Sequence, residues 1–443
     1  MRLLTAILFG KTIALISKFF KIGGGSAAPG LYALKINPAL VSDLSKQVKK
    51  NVIITGTNGK TTTSRMLAHL AKEAGLKVIR NHTGSNLERG IASTLIQHSS
   101  LNLGGYRTKF DLGIWELDEA AFNSVAPKLN PDVIVFLNVF RDQLDRYGEI
   151  DTVVKKWCGT LKNLPAGTKV LVNGDDQNTL KLAQCFKGKV QKFGVKDYKI
   201  KGESTAHNQG KLDFEATNIR LNGLKGSAFD LHTTYKILHT TLPLPGLYHV
   251  YDALAAITCA SLLNLPTHRI ADTLKTFSPA FGRVEKINLN PTSHRNPTSE
   301  VGYIFLIKNP AGATQVFETI APNIKPDDRL LLALNDNLAD GTDVSWIWDA
   351  DFEVIQNQSR AKSGDNTIIV SGSRAHDLAV RLKYAGFSVN SDDIQPDLKS
   401  ALKQARAGLK GQLFILPTYT AMLELQSILA KFGIKKHYWK EEV

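Results

Sequence analysis

Short apolar runs alternate with stretches of helical period through residues 51–195. Candidate strands are Asn51–Thr55, Lys77–Arg80, Asp111–Glu116, Val133–Asn138, Lys169–Asn173 and Val190–Phe193. Between them the 3.6-residue period fills Lys60–Glu73, Asp151–Leu161 and Gln177–Cys185, which predicts βαβ units and a mainly parallel sheet. From 196 to 245 the rhythm becomes polar–apolar alternation between glycine turns, as in ATNIRLNG and GSAFDLHTT. That predicts a small antiparallel sheet beside the main one. Helices are expected at 250–263 and 267–276. The stretch INLNPTSHRNPTSE, rich in Asn, Pro, Ser and Thr, reads as a linker. A second α/β block follows, with strands at 303–307, 330–334, 367–371 and 412–416 and helices at 313–320, 374–385 and 419–432. The expected division is a lead-in over 1–45, a central domain over 46–285 and a C-terminal domain over 286–443.

The first 25 residues, MRLLTAILFGKTIALISKFFKIGGG, predict an amphipathic helix ending at Gly23-Gly24-Gly25. Lys11 interrupts its apolar run, Lys18 and Lys21 follow, and the run is too short to span a bilayer. Three readings stay open: a helix packed on the body, one touching an anionic membrane surface, or a signal peptide.

At 443 residues and 43% apolar, the chain has enough material for two or three domains with large cores, which excludes a disordered protein. Its net charge of +15 draws nucleic acid, anionic lipid or phosphorylated substrates. No Lys/Arg run is long and no nucleic-acid motif is present, so no nucleic-acid partner is expected; a generally basic soluble enzyme fits as well. Cys158, Cys185 and Cys259 are far apart and form no C-x-x-C pair. They exclude a disulfide framework and a sequence-local zinc site, agree with a reducing cytoplasm, and read as buried and inert.

The sharpest chemical signal is Thr55-Gly56-Thr57-Asn58-Gly59-Lys60-Thr61-Thr62-Thr63, between an apolar strand and a helix. Backbone N–H groups at a helix start, with its dipole, favour phosphate there, and glycines let the backbone approach. Lys60 supplies a charge for the terminal phosphates of ATP, and the Thr61 hydroxyl can ligate Mg²⁺. Ile54 occupies the position where the common G-x-x-x-x-G-K-[ST] loop has its first glycine. Glu116, ending a buried-looking strand ahead of Asp118 and Glu119, is a second candidate Mg²⁺ ligand. Asn173, Asp175 and Asp176 either cap the next helix or join the site.

The short G-T-N-G-K-T-T loop resembles that of the Mur ligases and folylpolyglutamate synthases. The resemblance implies a Mur-ligase central domain of the phosphate-loop type and a C-terminal Rossmann-like α/β domain. It implies ATP binding by residues 56–62, metal binding by Glu116, and a nucleotide-site role for Asn138, in a run where Gln143 replaces the family's histidine. Tyr248-His249-x-Tyr251-Asp252 is similar to the helix near the adenine, which makes Asp252 an ATP-site candidate. Gly282-Arg283-x-Glu285 is similar to the turn closing the central domain. Lys155 and Lys156 lie where Mur ligases often carry a carbamylated lysine.

The second block narrows the resemblance to the MurT family, the Mur-ligase-like subunits of lipid II isoglutaminyl synthase. It rests on Lys308-Asn309-Pro310, on Asn335-Asp336-Asn337-x-Ala339-Asp340-Gly341-x-Asp343-x-Ser345-Trp346, and on Leu416-Pro417-Thr418-Tyr419. The resemblance implies amidation of the D-glutamate α-carboxylate of lipid II through an acyl phosphate, with ammonia from a GatD-type glutaminase partner. Asp343 would orient that partner's histidine; Lys308, Asn309, Asn335, Asp336, Asn337 and Asp340 are substrate-binding candidates. No structural zinc is expected, because the four-cysteine insertion of some members is missing. Work at the inner face of the cytoplasmic membrane is expected. The rival readings are a stand-alone amino-acid ligase and a non-catalytic ATP-binding scaffold.

Overall fold

The structure is a computed structural model describing residues 2–19, 27–81, 85–99, 110–140, 150–196, 210–233, 237–266, 270–278, 283–289, 301–361 and 367–435. Helices α1 (Arg2–Phe19), α2 (Ala28–Ile36) and α3 (Leu40–Ser45) precede the first sheet. Then come β1 (Val48–Thr55), α4 (Lys60–Glu73), β2 (Val78–Arg80), α5 (Glu88–His98), β3 (Phe110–Leu117), α6 (Glu119–Leu129) and β4 (Val133–Phe136). They continue with α7 (Ile150–Leu161), β5 (Lys169–Asn173), α8 (Gln177–Cys185), β6 (Val190–Val195), β7 (Phe214–Leu221), β8 (Ser227–His232) and β9 (Ile237–Leu242).

These strands form one sheet in the order β2-β3-β1-β4-β5-β6-β7-β8-β9, parallel from β2 to β7. Successive β1 residues feed opposite cores. Val52 and Ile54 join Met66 and Leu67 of α4, while Ile53 joins Ile91 of α5 and Phe122 of α6. Burial on both faces is why β4 reads as the unbroken apolar run VIVF. The expected separate antiparallel sheet is instead the far edge of this one. β7 pairs parallel with β6 at Phe193↔Phe214, which satisfies the open edge, and β8 and β9 add antiparallel hairpins. Helices α9 (Leu247–Leu262) and α10 (Ile270–Lys275) then pack across the α4 side.

The second sheet contains β10 (Arg283–Asn288), β11 (Val301–Phe305), β12 (Arg329–Ala333), β13 (Thr367–Ser371) and β14 (Leu413–Pro417), ordered β10-β11-β14-β12-β13. It is parallel except for β10, which enters it at Arg283, ahead of the division expected at 285/286. Helices α11 (Pro310–Ile320), α12 (Glu353–Ala361), α13 (Ala375–Tyr384), α14 (Leu398–Arg406) and α15 (Tyr419–Lys431) cover its two faces.

Two expectations fail. Cys158 and Cys185 are joined by a disulfide between α7 and α8, with Cα atoms 5.3 Å apart. Their spacing of 27 residues carries no sequence signal; the pairing follows from the packing of two helices. Only Cys259 fits the buried, inert reading, its thiol pushed up by burial. The argument for a reducing compartment falls with it. Nor does α1 segregate its apolar residues onto one face: Ala6, Ile7 and Gly10 are buried against the body, while Leu8, Leu15 and Phe19 are exposed.

Candidate functional site

The parallel strands β3, β1 and β4 end side by side, with Thr55 opposite Leu117 on one flank and Phe136 on the other. The loop 56–59 therefore leaves the sheet between two strand ends and runs directly into α4. Gly56 (φ +137°) and Gly59 (φ +88°) adopt backbone that side chains oppose. A Cβ on Gly56 would lie 2.9 Å from the Asn138 carbonyl, and one on Gly59 would lie 2.2 Å from Asp252 Oδ1.

Asn138 templates the loop. Its carbonyl accepts from Thr57 N (3.0 Å), its Oδ1 accepts from Asn58 N (2.8 Å), and its Nδ2 donates to the Asn58 carbonyl (3.1 Å). Asp252 supports the loop from beneath: it is buried, and its Oδ1 accepts from Thr63 Oγ1 (3.3 Å). These contacts give it a loop-supporting position. Lys60 is buried and folded over the loop. Its Nζ donates to the carbonyls of Gly56 and Thr57 and lies 3.8 Å from Glu119.

Beside the start of α4, Thr61 Oγ1 donates to Glu116 Oε2 (2.8 Å), which places two hard oxygen donors together. The set suits a small divalent cation such as Mg²⁺. Glu116 Oε1 also accepts from Ser64 Oγ (2.6 Å) and faces Arg80 NH1 at 3.4 Å. Burial pulls the Arg80 guanidinium below its ordinary pKa, and Glu116 pulls it back. Asn81 clamps the Glu116 backbone, donating to its carbonyl (3.0 Å) and accepting from its N–H (2.8 Å).

The C-terminal domain reaches the same loop. Lys308 Nζ donates to the Thr57 carbonyl (3.3 Å). Asn309 and Asn58 exchange two side-chain amide hydrogen bonds of 3.2 and 3.0 Å. Asn309 also caps α11, accepting from Gly312 N (2.8 Å).

The carboxylate-rich loop after β12 lies beside α15. Asp340 accepts from Thr420 N (2.8 Å) and from the Thr420 hydroxyl, and burial raises its pKa. Asn335 and Asn337 donate to the same hydroxyl, at 3.1 and 2.9 Å. Asp336 accepts from Ser373 Oγ (2.8 Å) and pairs with Arg374. Asp343 is exposed and accepts from Ser345 N (2.8 Å).

Two family models match, the Mur ligase middle domain over residues 54–260 and the MurT ligase C-terminal domain over 306–422. The chain is 31% identical over 441 residues to the lipid II isoglutaminyl synthase (glutamine-hydrolyzing) subunit MurT of Streptococcus pneumoniae, covering 93% of each chain. The chain belongs to the MurT family. Its similarity to the MurT subunit of Staphylococcus aureus (strain COL) is 30% over 426 residues, covering 90% of this chain and 91% of that one. The Mur-ligase fold extends to MurF from Acinetobacter baumannii, with a TM-score of 0.66 at 17% identity, covering 91% of this chain and 80% of that one. It extends also to MurF from Thermotoga maritima in complex with ADP, with a TM-score of 0.64 at 13% identity, covering 92% and 84%.

In this MurT-family chain, loop residues 56–62, Asn138, Glu116, Asp252, Lys308 and Asn309 gather at one place, though far apart in sequence. Asn335, Asn337 and Asp340 gather instead around Thr420. Asp176 caps α8, accepting from Asn178 N and Thr179 N, and its other oxygen accepts from Val139 N (3.0 Å), next to Asn138; Asn173 accepts from Asp175 N (3.0 Å), and Asp175 from Val195 N and Tyr251 Oη. Lys155 and Lys156 are exposed on α7. Residues 141–148, including Gln143, lie outside the described residues, as do Gly282 and the Arg283 side chain. Sequence reasoning missed Arg80, Ser64 and Asn81 and gave no role to Glu119, which is buried 3.8 Å from Lys60 Nζ. An arginine closing β2, the strand beside β3, was the available signal for Arg80.

Proposed function

We propose that this chain is the ATP-using subunit that amidates the α-carboxylate of D-glutamate in the lipid II stem peptide, working at the inner face of the cytoplasmic membrane. The observation that carries the reading is the junction of Thr61, Glu116 and the Lys60 loop at the start of α4. Thr61 and Glu116 would hold Mg²⁺, which neutralises phosphate charge. Loop N–H groups and Lys60 bind the ATP phosphates, with Lys60 exchanging its loop carbonyls for phosphate oxygens. A substrate carboxylate oxygen attacks the γ-phosphorus and ADP leaves, giving an acyl phosphate. Ammonia then attacks the carbonyl carbon, inorganic phosphate departs, and D-isoglutamine results. Lys308 and Asn309 bring the C-terminal domain against the loop, which supports a closed site that keeps water from the intermediate.

Ammonia would come from a glutaminase subunit. The described cysteines offer no nucleophile: two are in a disulfide and Cys259 is buried. Asp343 is exposed, as are Leu338 and Trp348 near it in sequence and Tyr384, which meets Trp348 edge-on; this supports docking of that partner here and orientation of its histidine. The test is amidation of lipid II with ATP and glutamine, with and without the partner. Lys60→Ala should abolish it with either glutamine or ammonium; an undiminished yield refutes the assignment. Asp343→Asn should lose the glutamine-driven reaction and keep the ammonium-driven one. If an amino acid replaces ammonia productively, a stand-alone ligase is the better reading.

A further inference from the structure

Helix α1 meets the protein through Ala6, Ile7 and Gly10. Ala6 and Gly10 are buried, and a Cβ on Gly10 would lie 2.8 Å from Ile96 Cδ1 of α5 and 3.4 Å from the Pro29 carbonyl of α2. Lys11 Nζ anchors the same side by donating to the Ser99 carbonyl (2.7 Å). Most of its bulky apolar residues point the other way. Leu4, Leu8, Phe9, Leu15, Ile16 and Phe19 are 42%, 47%, 47%, 69%, 49% and 82% exposed. At 100° per residue Leu4, Leu8, Leu15 and Phe19 fall within an arc of about 60°. The adjoining α2 adds exposed Leu31 and Tyr32. Of the fifteen large hydrophobic residues exposed among the described residues, eight lie on these two helices, so the chain's apolar surface is concentrated here.

The charge carried by this part of the sequence has one sign. Residues 1–42 contain Arg2, Lys11, Lys18, Lys21 and Lys35 and no Asp or Glu. A second copy of the chain docking through this segment would bring two stretches of like charge together, which opposes self-association. An 18-residue helix is about 27 Å long at 1.5 Å per residue, and no described helix is long and apolar enough to cross a membrane. An apolar helix face in a segment whose charged residues are all cationic matches the interfacial region of an anionic bilayer, with acyl chains below and acidic headgroups around.

We propose that the outward face of α1, extended by Leu31 and Tyr32, docks on an anionic lipid surface with the helix lying in the plane of the membrane. This deepens the functional reading by naming the surface through which the enzyme meets the bilayer holding its substrate. It rests on that reading only for the substrate's lipid anchor.

The experiment is sedimentation of the full-length chain with phosphatidylglycerol–phosphatidylcholine vesicles and with phosphatidylcholine vesicles alone. The wild-type chain should bind the anionic vesicles, more weakly as salt rises. Leu15→Ser/Phe19→Ser should lose binding by about tenfold for each large side chain removed, with an unchanged melting temperature because both side chains are exposed. Arg2→Gln should weaken binding to the anionic vesicles alone. In the double variant, amidation of detergent-dispersed lipid II should match wild type, while amidation of vesicle-embedded lipid II should fall. No sedimentation of the wild type, or equal sedimentation of the double variant, overturns the proposal. So does a double variant that keeps vesicle binding and loses the glutaminase, because the face is then a protein interface. Vesicle binding without any amidation would leave this proposal standing and sink the assigned reaction.

Discussion

Replacing Glu116 by Gln tests the nucleotide site at its most constrained atom. Glu116 is 2% exposed and receives Thr61, Ser64 and Arg80. Glutamine keeps the shape, removes the charge, and turns one acceptor oxygen into a donor facing other donors. Arg80, with its side chain 9% exposed, keeps its cation and loses this counter-charge. Deleting one partner of a buried ion pair costs about 3–5 kcal/mol. The 3.4 Å separation, and the second contact of Arg80 with Ser64 at 3.1 Å, place this one near the low end, about 3 kcal/mol. For a domain of this size that is a fall of roughly 6–12 °C in melting temperature. Glu116→Gln should also abolish the Mg²⁺ dependence of nucleotide affinity, read by calorimetric titration with ATP in the presence and absence of Mg²⁺. Arg80→Met/Glu116→Gln removes the stranded cation, so it should regain much of the lost stability and none of the Mg²⁺ dependence. A single variant that melts like wild type, or still binds ATP in a Mg²⁺-dependent way, refutes the reasoning.

Other changes have equally definite outcomes. Gly59→Ala introduces a Cβ 2.2 Å from Asp252 Oδ1 at φ +88°. The backbone strain alone is about 1 kcal/mol, and displacing Asp252 distorts the loop, so titration with a fluorescent nucleotide should show ATP affinity reduced more than tenfold. Arg381→Met withdraws hydrogen bonds from the buried residues Ile347 (3.1 Å) and Ala350 (2.9 Å) and unpairs Glu353. Urea unfolding should register a loss of about 2–4 kcal/mol, and glutamine-driven amidation should fall more than ammonium-driven, because Ile347 belongs to the turn that follows Asp343. Arg381 holds the Glu353 carboxyl below its ordinary pKa. Stability from that pair is therefore present above the unfolded carboxylate pKa and lost as pH falls through the lower folded value. Wild type should exceed Glu353→Gln in stability at neutral pH, with the gap closing in acid; a gap independent of pH would contradict this.

The parallel core of the first sheet and the phosphate loop were legible because local chemistry dictates them. Apolar runs such as VIVF have few alternatives to a doubly covered strand, and Gly56 and Gly59 mark backbone that other residues resist. The partners of the loop were less legible, since Asn58 meets Asn309 across 251 residues of sequence. Its place at a strand end made Glu116 a candidate and the resemblance to Mur ligases set it above its neighbours, whereas Arg80 and Asn81 became visible only once β2 was laid against β3. The place of β7 at the sheet edge depended on which strand accepted it, and alternation alone does not carry that information. The Cys158–Cys185 bridge was hidden for the same reason: it records how two helices pack, which neither residue announces.

The doubled amide contact between Asn58 and Asn309 has a thermodynamic consequence. It joins the cradle for nucleotide to the body that carries Asp343, so the orientation of one domain and the shape of the other share a free energy. Linkage is reciprocal: if engaging a glutaminase through the far domain tightens nucleotide binding by some factor, nucleotide tightens the grip on the glutaminase by the same factor. Loading nucleotide would then raise the share of glutaminase held on the synthetase, and losing it would lower that share.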